Sequence, residues 1–131
     1  MPHPLTFRDG DPGLAELREI ALDFPGAYEK VTHGRPGFFV TKMFACYGGS
    51  TKQSGDMAAV DHCVMVKVDD ADRPALQADE RFFYPAYVGV SGWLGLDFTV
   101  APVDWDEVRE LVDASYRLVA PKRFLRELDE R

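Results

Sequence analysis

The 131-residue chain has only two cysteines, Cys46 and Cys63, and no Cys-x-x-Cys pair. That removes the spacing of a zinc site or a dithiol redox motif. Both lie in apolar, strand-like runs, where a free thiol acts as a small hydrophobe; a disulfide or redox role is the competing reading. No apolar run approaches the ~18 residues that a membrane-spanning helix needs. Met1-Pro2-His3-Pro4 lacks the basic-then-apolar order of a secretion signal. Cytoplasm is therefore the expected compartment, with no membrane partner. Basic charge is also scarce: 15 Lys and Arg face 22 Asp and Glu, for a formal net charge of -7. Such a balance argues against a protein coated in positive charge for nucleic acid. A nucleophile elbow, a Walker loop and an internal repeat are all missing, and no cofactor is expected.

What is present reads as one domain over residues 1–131. Asp11-Pro12 suits a helix start, with Asp as cap and Pro in the first turn. Leu14, Leu17, Ile20, Ala21 and Phe24 then form an apolar stripe, and Pro25-Gly26 stops the helix. Residues 27–33 read as a strand, and Gly34-Arg35-Pro36-Gly37 as a turn cluster. Residues 38–40 and 43–47 form a hairpin around Thr41-Lys42, although Thr-Lys is not a favoured turn pair. The Gly- and Ser-rich stretch from Gly48 to Gly55 reads as a mobile loop.

Residues 61–68 are a strand, with His62, Val64, Val66 and Val68 on one face and Cys63, Met65 and Lys67 on the other. Residues 69–79 suggest a short acidic helix with Pro74 near its first turn, and 81–90 an irregular aromatic stretch. The last strand covers 92–100. Asp104 and Glu107 have the spacing of a capping box for a helix whose stripe is Val108, Leu111, Val112, Ser115 and Val119. Pro121 interrupts it, and residues 122–128 resume as a terminal helix. Consecutive strands joined by short turns and flanked by helices predict an α+β two-layer domain. About five antiparallel strands should pack against N-terminal and C-terminal helices.

The stretch Gly34-Arg35-Pro36-Gly37-Phe38-Phe39-Val40-Thr41-Lys42-Met43-Phe44-Ala45 resembles the Gly-x-Pro-x-Phe…Lys-x-Phe-Ala hairpin of the MmcQ/YjbR-like family. Val66-Lys67-Val68-Asp69, Phe83-x-Pro85-x-Tyr87, Gly92-Trp93 and Leu118-Val119-Ala120-Pro121-Lys122-Arg123 follow in the family's order. The resemblance implies a curved antiparallel sheet like that of secretion chaperones, and a DNA-binding role assigned to the family through fold similarity. Three departures stand out: Ala86 precedes Tyr87 where the family often has His, Asp97 replaces an expected basic residue, and Gly48 to Gly55 looks like an insertion.

Nucleic-acid contact needs cations for phosphates and aromatic groups for bases. Arg35, Lys42, Lys67, Lys122 and Arg123 are the candidate cations, and Tyr87 and Trp93 the candidate stacking rings. The plainer reading has solvated cations and Trp93 in the core. Lys122 and Arg123 could equally meet the carbonyls at a helix C-terminus, or Arg123 an acid of the third helix. The expected function is non-enzymatic, with double-stranded DNA as the partner. The rival is a protein- or ligand-binding module, a homodimer in the manner that secretion-chaperone-like folds suggest, holding a peptide or small apolar molecule against Phe38, Tyr87 and Trp93.

Overall fold

The computed structural model describes residues 4–131; the reading of the opening residues as no secretion signal falls mostly on Met1 to His3, outside the described residues. One antiparallel sheet organises the chain. Its strands are β1 (Tyr28–Thr32), β2 (Arg35–Val40), β3 (Lys42–Gln53), β4 (Asp56–Lys67), β5 (Phe82–Phe83) and β6 (Trp93–Asp97), in the spatial order β1-β2-β3-β4-β6-β5. The helices are α1 (Leu14–Leu22), α2 (Arg73–Gln77), α3 (Trp105–Val119) and α4 (Lys122–Asp129). The α+β two-layer expectation holds, with six strands in place of five. Among the described residues, no helix is long and apolar enough to cross a membrane.

Tight turns set the strand register. His33 and Gly34 both have positive φ (51° and 80°), as do Ser54 and Gly55 (53° and 87°). Two successive residues of that hand match the twist of a hairpin. The turn between β1 and β2 is therefore shorter than the Gly34–Gly37 cluster, and Arg35, Pro36 and Gly37 are already strand. The second such turn corrects a larger error. Residues 48–53, read as a mobile loop, continue β3, and β4 starts at Asp56. Gly48 (φ 83°) lies at a break in register between Tyr47 and Gly49, so its glycine makes a bulge and the strand runs on. Between β2 and β3 the chain reverses at Thr41 alone, at φ 64°.

Phe38, Val40, Phe44, Val64, Val66, Leu94 and Leu96 fill the helix side of the sheet, against Leu14, Leu17, Val108, Val112 and Tyr116. The stripe of α1 is buried as the periodicity requires, but Asp11 does not cap it. Gly13 holds the cap position, and the Asp11 carboxylate instead accepts from the Arg8 N–H. Asp104 does cap α3, accepting from the N–H groups of Asp106 and Glu107. The box is half-formed, because the Glu107 carboxylate turns away to take both ends of the Arg81 guanidinium at 2.7 and 3.0 Å. Buried Ser115 pins α3 to the sheet, donating to the Phe44 carbonyl (2.6 Å) and accepting from the Lys67 N–H (2.9 Å).

Candidate functional site

The face of the sheet turned away from α1 and α3 is not polar. Register puts Gly37, Cys46, Met65 and Gly95 in one row across β2, β3, β4 and β6. Cys46, Cys63, Met65 and Trp93 form a second, smaller core there, with Phe83 and Val88 packed on it. The cover is segment 84–91, which leaves the β5 edge and crosses the face to β3. It arrives with the Ala86 N–H on the Ser50 carbonyl (2.8 Å), and the Thr51 hydroxyl donates to the Tyr84 carbonyl (2.8 Å).

One edge of β3 thus has two tenants. β2 pairs with residues 42–46, and segment 84–86 takes over at Ser50 and Thr51. Between them a groove of about 810 Å³ opens. Arg35 and Phe39 line one side, Met43, Cys46, Gly49 and Met65 the floor, and Met57 with Ala86–Val88 the far side. Its size is that of a small-molecule site. The Met65 thioether fits there because residue 49 is glycine: a Cβ at that position would lie 2.5 Å from Met65 Sδ. Three thioethers make an apolar lining that can adapt to the shape of an occupant.

Arg35 lies across Gly48, where a side chain would collide with its Nη1. Its guanidinium faces Asp61 at 3.8 Å, an ion pair too long for a hydrogen bond, and its side chain is 18 % exposed. Lys30 Nζ sits 4.8 Å from the Phe39 ring centroid, and Lys52 Nζ 5.9 Å from that of Tyr87. Cations therefore stand at three places around the groove, and no Asp or Glu is among its lining residues. Burial pushes the Cys46 thiol up to about 12, against a small opposing pull from Arg35, and burial raises Cys63 as well. Both cysteines are free, and at neutral pH they are neutral thiols.

Tyr87 marks the rim. It is 76 % exposed, with φ 66° and ψ -59°, and the Val88 N–H reaches back to the Ala86 carbonyl at 2.8 Å. This is a three-residue γ-turn of the rare positive-φ hand, a strained conformation for a tyrosine.

Of the seven candidate residues, only Arg35 and Tyr87 meet at the groove. Lys42 lies beside the β2–β3 turn at one end of the sheet, and Lys67 pairs with Trp93 near that end, in a hollow shared with Asp69 and Asp70. Trp93 is 8 % exposed, so its ring fills the small core and is not free to stack on a base. Lys122 and Arg123 open α4, and the Arg123 guanidinium covers the neighbouring Phe124 ring at 4.7 Å; among the described residues it forms no ion pair with an acid of α3, where Asp113 is held by Arg117. Phe38 lies wholly beneath the helices and cannot line a binding surface. The five candidate cations thus fall in three separate places: Arg35 at the groove, Lys42 and Lys67 near one end of the sheet, and Lys122 and Arg123 at the start of α4.

The sequence reading missed Met43, Met57, Met65, Lys30 and Lys52 as site residues. Alternation had already assigned Met65 to the face opposite Val64. Lys52 and Met57 needed residues 48–53 to be recognised as strand, which the Ser54-Gly55 dipeptide signals.

Comparison with known proteins bears on this architecture. No curated protein matches the chain. A crystal structure of Deinococcus radiodurans protein DR2400, carrying family-model domain DUF419, superposes with a TM-score of 0.61 at 19 % identity, over 88 % of this chain and 87 % of that one. That likeness is one of fold. The family model YjbR matches residues 22–118, from the end of α1 through every strand and the groove to the last turns of α3. With that span covering most of the sequence and the hairpin motifs in their expected order, the chain belongs to the YjbR family.

Proposed function

We propose that this protein is a non-enzymatic binding module whose open-face groove receives an apolar ligand or a short apolar segment of a partner. The observation that carries the reading is the groove itself. It is built from three methionines and two aromatic rings on a face that segment 84–91 covers only in part. Met-rich surfaces suit occupants of variable shape. Its lining holds His33 but no carboxylate, and burial keeps its thiol neutral, which favours retention of a ligand over its conversion.

A duplex-DNA role, the family's usual assignment, finds less support in the geometry. Phosphate neutralisation gains from several cations free on one accessible surface, whereas Lys42 and Lys67, Lys122 and Arg123, and Arg35 lie in separate places. The cations around the groove are engaged, Lys30 and Lys52 by the Phe39 and Tyr87 rings and Arg35 by Asp61.

The test titrates the protein with an apolar fluorophore such as 1-anilinonaphthalene and, in parallel, with a DNA duplex across a salt series. The expected result is saturable fluorophore binding that Met65→Lys abolishes, and no duplex complex at ~50 mM salt and micromolar protein. Salt-sensitive duplex binding without fluorophore uptake would overturn the proposal in favour of DNA. Light scattering on the same samples reports whether a dimer forms; loss of fluorophore binding on dimerisation would identify the groove as a contact between copies.

A further inference from the structure

The groove's charge stands against that of the rest of the molecule. The chain carries a formal net charge of -7, yet the residues lining this groove include a guanidinium and no carboxylate. Two ammonium groups stand over its terminal rings, Lys30 at Phe39 and Lys52 at Tyr87. Asp61, which answers Arg35 from outside the lining, is held at 3.8 Å. The Arg35 guanidinium makes no hydrogen bond among the described residues, so its donors remain available to a planar acceptor. Arg35 stands level with Gly48, between the Met43 and Met57 ends of the groove, and the floor from it over Cys46 and Met65 to Met43 is uncharged.

Resting on the groove reading above, we propose that the natural occupant is an apolar chain bearing one carboxylate. The carboxylate sits on the Arg35 guanidinium and the chain lies over Met65 toward Met43. A guanidinium can take a carboxylate through two parallel N–H···O bonds, and it sheds water more readily than an ammonium does. This choice of ligand follows from the complementary charge: a neutral apolar molecule would leave the part-buried guanidinium with only Asp61, at 3.8 Å and beyond hydrogen-bond reach, and a cation would face Arg35, Lys30 and Lys52. Tyr87 closes the far side. Its strained γ-turn is held at both ends, by the Ala86 N–H on Ser50 and by Val88 in the small core, so its ring is presented at the rim with Lys52 beside it. Strain of this kind is characteristic of ligand clamps.

The experiment compares three probes of one chain length, decanoate, decanol and decylammonium, each below its micelle concentration. Binding to the full chain is read by calorimetry and by the emission of Trp93, which packs beside Met65 beneath the groove. Decanoate is expected to bind at least about tenfold tighter than decanol, the scale of a charge-assisted hydrogen-bonded pair. Decylammonium is expected to bind more weakly than either. Arg35→Gln should erase the difference between decanoate and decanol while leaving decanol affinity in place.

Equal affinity for decanoate and decanol in the unaltered protein would overturn the carboxylate proposal and leave the groove reading standing. Tighter binding of decylammonium would do the same. Failure of all three probes to bind would remove the groove reading with it. Should Arg35→Gln not fold, lowering the pH through the decanoate pKa on the unaltered protein serves in its place: the preference over decanol must vanish as the carboxylate protonates, and its persistence would overturn the proposal.

Discussion

On the helix side of the sheet, Phe38, Phe44, Val64, Val66 and Leu94 lose all or nearly all contact with solvent beneath α1 and α3. The polar groups drawn in with them are matched: Ser115 bridges Phe44 and Lys67, and the Tyr116 hydroxyl donates to the Pro25 carbonyl. Across the same strands, the opposite face carries a comparable run of apolar residues under a much thinner cover. Segment 84–91 seals Cys63 and Trp93 but stops at Tyr87, and beyond it Phe39, Met43 and Met57 are only partly covered. One face is completed within the chain, while the other has room left for an occupant. An antiparallel sheet with one packed face ordinarily turns polar residues outward on the other, so an apolar second face calls for a covering, and here the chain provides part of it.

The widest contrast between the faces is in stability. Leu94→Ala beneath the helices should cost about 2–5 kcal/mol in urea denaturation, through lost transfer energy and a cavity that cannot collapse. Met43→Ala in the groove should cost less than about half of that and mainly weaken ligand binding. Equal costs would mean that the groove is as well packed as the core. Ser115→Ala comes next. It leaves a buried carbonyl and an N–H without their partner, for about 1–3 kcal/mol, and urea denaturation should show a lower midpoint with an unchanged slope.

Tyr87→Gly sharpens the comparison from the other side. Glycine accepts positive φ without a Cβ penalty, so stability should hold or rise by up to about 1 kcal/mol while ligand retention falls. A marked loss of stability would show that the Tyr87 ring supports the segment and does not serve the rim.

The smallest effect concerns pH. Arg81 holds Asp79 through hydrogen bonds and lowers its carboxyl to about 2. Because the folded value lies below the unfolded one, this contact stabilises fully above pH ~4 and is lost as pH falls through about 2. Its loss frees one end of the link between segment 79–81 and Glu107 on α3. Acid titration of Asp79→Asn against the unaltered chain should show convergence of the two midpoints over that window.

Much of this was legible beforehand because it is local. The α1 stripe, the Asp104 cap and the alternation of His62, Val64 and Val66 against Cys63 and Met65 depend on residues within a turn or two of one another. The errors share a cause. Gly48, Gly49 and Ser50 are weak strand formers, and only their pairing with Val60 and Ala59 on β4, closed by the Ser54-Gly55 turn, holds them extended. Glu107 has the spacing of a reciprocal cap, but a guanidinium 26 residues away is the stronger partner. Arg35 and Tyr87 were both in view as candidates; that they share a groove while Lys42, Lys122 and Arg123 do not was beyond any spacing rule.

The amino-acid order by itself determined the family, the antiparallel class and which side chains share a face of each strand, since strand alternation and helical periodicity are properties of neighbours. Tertiary structure alone decided that β2 and segment 84–86 divide a single edge of β3, and therefore that a methionine-lined hollow with Arg35 on its flank exists. Strand-edge occupancy is a competition among segments remote in sequence, settled by register, bulge geometry and the packing of Val88 and Phe83 on the small core.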